Sequence, residues 1–448
     1  MTVRYFAARA RAFRAVLVLS ALSVCAVPPA FSQTREGRGG RSLFGGVNPQ
    51  PSGPSGGGSL NATVSISNTY DDDLGGDQGS VSAPQSRIGG NYSNLNTALS
   101  FSSKRRRFAI TADAATSLRH YPDLDIFVGS NHSAGTTLSA NLSPKTSVRA
   151  RLDGSYVSSF AFDTFTRRSS VGPEGPSLTG LEGAVTDWTM TSYGGAAELT
   201  RTLGRRSSFA LSYGTRYSER SIVQEYNTER AVAVRFARNT GRDTSVRASY
   251  TVREGTQRLM EVGRRVRSHD AQLGVERRWQ HSAQRRTVVS LTAGPALLRD
   301  EPSVLQTEGT RRLVSAVGSI SIRHDLSQSW TAGVSYRRGA GFSSRRVSSN
   351  AATVDVRGSA GRRIDLTLSA GYSDGEIGLD AFDNRYKTSF GTARLRVAIT
   401  RLIAIYGQGF FYHYTFGSLP SLPPGYPRQM DRRALRAGVT LWLPILGR

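Results

Sequence analysis

Of 448 residues only Cys25 carries a thiol, so neither a disulfide framework nor a cysteine metal site can hold this chain together. Lysine is scarce as well: Lys104, Lys145 and Lys387 are the three, and arginine carries the rest of the basic charge. The body has no run near the roughly 18 uninterrupted apolar residues that a membrane helix requires, which excludes a helical membrane protein. Hydrophobic residues make up 38% of the chain, a small share for a large dry core. Helical periodicity is nearly absent after residue 59.

What is present begins with a secretory signal. Arg4, Arg9, Arg11 and Arg14 form a basic start without an acidic residue, followed by the apolar run Ala15 to Val27 and by small residues at Ala30 and Ser32. This predicts a signal peptide over 1–32, cleaved after Ser32. Val24, before Cys25, is bulkier than a lipoprotein signal wants. Cleavage removes the only Cys and four Arg, taking the net charge from +25 to +21. In an exported protein that charge points to anionic glycans, lipids or solutes as partners and not to nucleic acid. Residues 33–58 (ending GRGGRSLFGGVNPQPSGPSGGG) are rich in Gly, Pro and Ser and predict a disordered leader.

From Ser59 the sequence changes to apolar/polar alternation in segments of about 9–13 residues, the mark of half-buried strands. Eighteen can be counted, from Leu60-Ala62-Val64-Ile66 to Leu435-Ala437-Val439-Leu441-Leu443. The seventeenth, Leu402-Ala404-Tyr406-Phe410, is ambiguous because Ile403 and Ile405 make its other face apolar too. Short polar turns such as Ser103–Arg106, Ser143–Lys145, Thr240–Arg242 and Ala360–Arg362 alternate with longer connections, notably 70–87, 159–187, 254–266, 300–310, 373–386 and 414–431. A meander with one tight and one loose end, and an even strand count, predicts an all-β, closed antiparallel up-and-down transmembrane barrel over 59–448 with both termini in the periplasm.

Alternation alone fits a soluble sandwich equally well. Three features favour lipid. Aromatics on the apolar parity sort to strand ends, with Phe101, Phe108, Phe209, Phe236, Trp279 and Trp330 near tight turns and Tyr156, Tyr193, Tyr250, Tyr336, Tyr372 and Tyr412 near long loops, as two membrane interfaces select. The opposite face is polar throughout, which a water-filled lumen tolerates and a dry core does not. The last strand, Arg436-Ala437-Gly438-Val439-Thr440-Leu441-Trp442-Leu443, looks like the C-terminal assembly signal of outer-membrane proteins, with Gly438, Leu441 and Leu443 as its key positions. It has Leu where aromatics are usual and continues through Pro444 to Arg448. If the barrel is right, Val148, Leu152, Val334 and Leu441 look outward to hydrocarbon.

On these features the chain from Ser59 to Arg448 resembles the porin-like outer-membrane β-barrels of Gram-negative-type bacteria, most like the beta-barrel porin 2 type that includes polysaccharide-export barrels. That resemblance implies a bacterial outer-membrane pore with lipid and lipopolysaccharide around it, the β-barrel assembly machinery as a partner in biogenesis, and an anionic glycan and a periplasmic export protein as further partners. It assigns no functional residue, and a leader this short is neither a plug nor a passenger domain.

The opposite parity predicts the lumen lining: Arg107, Arg149, Arg151, Asp153, Arg216, Arg235, Arg247, Arg253, Arg323, Arg337, Arg357, Arg394, Arg396 and Arg436, together with Arg119 and Arg278 and the acids Asp113, Glu198, Asp270, Glu276, Asp355 and Asp365. Arginine outnumbers carboxylate there, so the field favours anions, and the planar guanidinium suits carboxylate, phosphate and sulfate. The function expected is passive passage or export of anionic solutes or acidic polysaccharide. Two alternatives stand: a non-conducting structural or adhesin-like barrel braced by Arg–acid pairs, and a hydrolase at the outer rim. No nucleophile elbow or metal-ligand spacing occurs, and the six His are scattered, so no catalytic residue, metal or cofactor is expected. A rim triad would escape detection by spacing, because its members come from separate strands. Asp71-Asp72-Asp73 and Asp77 lack the rest of a calcium loop.

Overall fold

The computed structural model describes residues 42–45, 58–72, 89–122, 128–160, 170–172, 175–177, 184–221, 225–259, 262–282, 284–301, 311–343, 345–377, 385–416 and 429–446. The expected signal peptide lies outside them.

Among the described residues twenty strands follow one another: β1 Ser59–Asp71, β2 Gly90–Lys104, β3 Phe108–His120, β4 Val128–Ser143, β5 Thr146–Phe160, β6 Ser170–Gly172 and β7 Gly175–Ser177. Then come β8 Ala184–Thr202, β9 Ser207–Arg220, β10 Glu225–Asn239, β11 Thr244–Leu259, β12 Val262–Gln280, β13 Arg286–Glu301 and β14 Arg311–Asp325. The chain closes with β15 Trp330–Ser343, β16 Arg345–Ala360, β17 Ile364–Ile377, β18 Arg385–Ala398, β19 Ile403–Phe416 and β20 Gln429–Leu446. Eighteen of them form a single antiparallel sheet in which each strand pairs with its neighbours in sequence and β20 pairs back onto β1. The sheet therefore has no edge, and every strand finds hydrogen-bond partners on both sides. This is what lets a sheet sit in hydrocarbon. The hairpin β6–β7, within the β5–β8 connection, stands outside the ring and packs against β2, β3 and β4.

Side-chain facing follows the pleat. Along β1 the burial alternates strictly, with Ser65 and Thr69 fully buried and Ile66 63% exposed. The outward parity around the ring carries exposed apolar side chains: Leu152, Val232, Leu273, Leu291, Val334, Val354 and Leu395 among others. A surface this greasy is incompatible with water and suited to lipid. The molecule is a transmembrane barrel of the outer-membrane type.

At one end the turns are tight. Leu203, Thr240, His281, Leu326 and Ile399 each donate a backbone N–H to the carbonyl four residues on, closing turns of one repeated pattern, and Gly361 takes a positive φ of 67° in the β16–β17 turn. Both Ser59 and Leu446 lie at this end.

Three sequence expectations need correction. The segment 254–266 is not a loop: β11 and β12 continue to the pair Leu259↔Val262, braced by Glu254 against Arg265 at 2.6 Å and Arg267 at 3.2 Å. Apolar alternation stops where the lipid stops, whereas the hydrogen-bond ladder goes on into water. The seventeenth barrel strand, β19, faces opposite to the Leu402-Ala404-Tyr406 reading. Ile403, Ile405 and Phe411 are exposed to lipid, while Ala404, Tyr406, Phe410, Tyr412 and Tyr414 are buried inside, so Tyr412 belongs to no outer girdle. Its register against β18 and β20 decides the face where hydrophobicity could not. Finally, four residues of the leader 33–58, Ser42–Gly45, are bound to the barrel, as described below; the rest of that leader up to residue 57 lies outside the described residues.

Candidate functional site

The lumen has two unlike walls. From β5 round to β16 most inward guanidiniums reach into open space, with side-chain exposures of 47% for Arg151, 50% for Arg216 and 70% for Arg357, while toward the far end of β12–β14 the inward Val266, Ala296, Leu298 and Val317 are buried. Arg149, Arg235, Arg247, Arg253, Arg323 and Arg337 occupy the same inward parity. The carboxylates among them are clamped. Asp153 meets Arg216 at 2.9 Å and Arg151 at 3.4 Å; Glu198 bonds Arg235. Glu276 bonds Arg247 and, at 2.7 Å, Arg278, and Asp270 lies 3.0 Å from Arg253. Asp325 takes Arg286 at 3.1 Å and Arg323 at 3.7 Å near the tight turns, and Asp355 lies 4.0 Å from Arg357. Each of these acids is matched by at least one arginine, often two, and Glu229, inward on β10, stands outside these pairs; guanidiniums outnumber carboxylates on this wall and set the sign of its field.

The second wall, from β18 through β20 and β1 to β3, is packed. Arg119, Arg396 and Arg432 are buried among Tyr92, Tyr121, Tyr386, Tyr406, Tyr412 and Tyr414. Arg432 Nε donates to Asp71 Oδ2 at 2.8 Å with both side chains fully enclosed, across the seam where the last strand meets the first. Arg436 donates to Thr69 Oγ1 at 3.0 Å and lies 3.5 Å from the Tyr92 hydroxyl, whose ring meets that of Tyr121 in a tilted contact at 5.0 Å. The Arg394 guanidinium lies 4.6 Å above the Tyr406 ring. Such stacking holds a guanidinium in place without neutralising it.

Gly438, singled out as part of an assembly signal, has a local role in this wall. It pairs with Tyr406, and a Cβ there would fall 2.8 Å from Tyr406 Cε1 and 2.7 Å from the Ile66 carbonyl. The missing side chain is the space that the Tyr406 ring uses. Leu441 and Leu443 lie on the outward face of β20, with Val439. Arg107 is the one predicted lining residue not on a strand: it sits exposed in the 105–107 turn, one residue short of β3.

At the tight-turn end the leader enters the barrel. Phe44 is 1% exposed, packed with Leu43 against the inward Ala398, Ala404 and Trp442, with the Arg396 guanidinium 5.6 Å from its ring. Leu43 N–H donates to the Arg362 carbonyl, Gly45 N–H to the Arg401 carbonyl at 3.0 Å, and Ser42 Oγ to Asp365 Oδ2 at 2.8 Å. Composition hid this anchor, because one Leu-Phe pair is diluted by the surrounding Gly and Pro.

Sequence reasoning also missed Arg432, which lies beyond the apolar alternation of β20 and so looked like loop. Asp71 serves that arginine, and Asp72 accepts from the Arg433 N–H at 2.6 Å; Asp73 and Asp77 lie outside the described residues. Among the described residues no three His, Cys, Asp or Glu gather as metal ligands.

No family model matches the sequence, and no curated protein does. Among solved structures the chain is similar to Pseudomonas aeruginosa OccK11 (OpdR), at 13% identity over 87% of this chain and 98% of that one, with a TM-score of 0.44. It is similar to Acinetobacter baumannii OccAB2 at 7% identity, 87% and 98% coverage and a TM-score of 0.45. The ferric-catecholate import receptor Fiu of E. coli K12 gives 7% identity, 90% and 86% coverage and a TM-score of 0.43. With TM-scores below 0.5 these likenesses assign neither a substrate nor a mechanism.

Proposed function

We propose that the barrel is a pore of the bacterial outer membrane that passes anionic solutes, with acidic polysaccharide as the extended form of the same substrate class. The observation that carries this reading is the wall from β5 to β16, where exposed guanidiniums such as Arg151, Arg216, Arg247 and Arg278 line one side of the lumen and Asp153, Glu198 and Glu276 are each held by arginine. An anion moving along such a wall exchanges one guanidinium for the next at little cost, whereas a cation finds its carboxylates already engaged. The exposed arginine pairs at the tight turns, Arg205-Arg206 and Arg362-Arg363, are where a periplasmic export partner of acidic surface would dock. Lipopolysaccharide and the barrel-assembly machinery are the partners that an outer-membrane barrel of this architecture requires.

The test is reversal potential in a salt gradient across a planar bilayer. Anion preference is expected, weakening as Arg216, Arg235 and Arg247 are replaced together by Gln; a cation-preferring channel would sink the reading. A second reading, a closed structural barrel, draws on the packed wall and on the leader anchored at the tight-turn end. It predicts no conductance from a correctly folded protein.

A further inference from the structure

On the outer wall, at the end away from the tight turns, strand register aligns four side chains from four consecutive strands. Tyr372 on β17 pairs with Ser389 on β18, Ser389 with His413 on β19, and His413 with Asp431 on β20. All four share the outward parity of the lipid-exposed Leu368, Leu395, Ile405 and Leu435 on the same strands. His413 Nδ1 is hydrogen-bonded to Asp431 Oδ1, and the other carboxylate oxygen accepts from Gln429 Nε2 at 3.0 Å. A carboxylate at Nδ1 keeps the proton on that nitrogen and leaves Nε2 as the acceptor. Residues directly opposite in an antiparallel pair have Cβ atoms roughly 4.5–5.5 Å apart, which brings a Ser389 hydroxyl within rotamer reach of the imidazole.

A second observation identifies what would lie there. On the membrane side of this row is an apolar groove of about 520 Å³ lined by Val354, Leu368, Ala370, Gly391, Ala393 and Phe411. Ala370, Gly391 and Phe411 are the next outward positions below Tyr372, Ser389 and His413. Small residues make the floor and larger ones the sides. The groove opens to hydrocarbon, and its upper end meets the polar row at the level where tyrosines mark the interface. An amphipathic ligand whose apolar chain ends in a polar linkage fits both parts.

We propose that Ser389, His413 and Asp431 act as nucleophile, general base and orienting carboxylate in hydrolysing an ester bond of a glycerolipid in the outer leaflet, its acyl chain lying in the groove. Ser389 Oγ attacks the ester carbonyl carbon as His413 Nε2 takes the hydroxyl proton. The C–O bond to glycerol then breaks, and the leaving alkoxide receives that proton. Water repeats the sequence on the acyl-serine, releasing the fatty acid and restoring the hydroxyl. The Tyr372 hydroxyl and Lys387, two residues from Ser389 on the same face, are the donors available to the developing oxyanion. The site lies on the outer wall and is independent of conduction through the lumen.

The full-length protein, refolded and shown by heat-modifiable gel migration to be closed, is assayed for fatty-acid release from mixed micelles of phosphatidylcholine and detergent, and for labelling by a fluorophosphonate. Release is expected, with Ser389→Ala and His413→Gln each lowering it about 10³-fold or more and abolishing the label. Gly391→Leu separates the groove from the chemistry. A Cβ at Gly391 meets nothing within 4 Å, so the side chain enters the groove without straining the wall. Long-chain esters should lose roughly tenfold or more in turnover while short-chain esters change little, as expected for lost apolar contact. A folded wild type that neither releases fatty acid nor takes the label, or a Ser389→Ala protein as active as wild type, overturns the proposal. Equal loss on short and long esters in Gly391→Leu overturns the groove assignment.

Discussion

Asp153 on β5 and Arg216 on β9 are joined at 2.9 Å although β8 runs between them, because the residue that separates them is Gly194. Any Cβ at that position would fall 2.9 Å from the Thr215 carbonyl and 3.6 Å from Arg216 Cβ, in the gap that the ion pair spans. The pair faces water, so its contribution to stability is at most about 1 kcal/mol, and its consequence is electrostatic. Asp153→Asn is expected to leave the melting of the barrel unchanged within error and to shift the reversal potential toward anions, because Arg151 and Arg216 both lose their counter-charge. A shift toward cations would contradict the proposed polarity of the lumen.

The seam behaves differently. Asp71 and Arg432 are enclosed on both sides, where the first strand meets the last. Removing one member of a buried pair costs about 3–5 kcal/mol, whereas replacing both by apolar groups can be neutral. Asp71→Asn should therefore lower the temperature at which the barrel loses its compact gel migration, and Asp71→Leu with Arg432→Met should restore most of the loss. Equal damage from the double variant would show that the charges, not the packing, close the ring.

Tyr406 fills the place where Gly438 has no side chain, and the Arg394 guanidinium lies over that ring. Gly438→Val is expected to push the ring out and cost about 1–3 kcal/mol by overpacking. Tyr406→Ala should relieve part of that cost in the double variant. Non-additivity in denaturant unfolding checks the packing role. A Gly438→Val barrel that assembles in cells at wild-type yield but melts lower would separate packing from recognition by the assembly machinery.

How far the sequence could be read follows from what alternation encodes. Period-two hydrophobicity reports the lipid contact, so strand number and most facings were legible from residues such as Leu152, Val334 and Leu395, which see hydrocarbon. It is silent where both faces are apolar, and β19, with Ile403 and Ile405 on one side and Ala404 and Tyr406 on the other, had to be decided by register. It is equally silent beyond the bilayer, which hid the continuation of β11 and β12 and the inward position of Arg432. The row Ser389–His413–Asp431 is a property of three registers at once, and no spacing along one chain contains it.

The leader anchor depends on shape as much as on hydrophobicity. Beside Phe44, Gly45 lies so close to Trp442 that a Cβ would fall 2.2 Å from the indole ring. Gly45→Val should therefore undock the segment as effectively as Phe44→Ala while leaving its hydrophobicity intact. Cysteines placed at Ser42 and Ser359 read the docking directly, since both serines bond the Asp365 carboxylate, at 2.8 Å and 2.6 Å. A flexible bismaleimide should join them in high yield in the otherwise native chain and in low yield in either variant. Unchanged yield would mean that the Ser42 and Leu43 hydrogen bonds suffice.

The orientation of the wall itself can be tested on adjacent residues. Leu152 stands halfway along β5, 66% exposed on the outer face, and Arg151 beside it points into the lumen. In a soluble sheet with a dry interior, Leu152→Arg would be the harmless change if the exposed leucine met water. In a bilayer the order reverses. Arginine on the lipid face near the midplane costs about 2–4 kcal/mol, because it must drag water or headgroups toward it. Arg151→Leu, by contrast, removes an exposed ion pair worth at most about 1 kcal/mol. Reversible folding into lipid vesicles should therefore show Leu152→Arg as the severe variant and Arg151→Leu as the mild one, and the gap should shrink in detergent micelles, where the apolar layer deforms more readily. The opposite ranking would place water outside the barrel and hydrocarbon within.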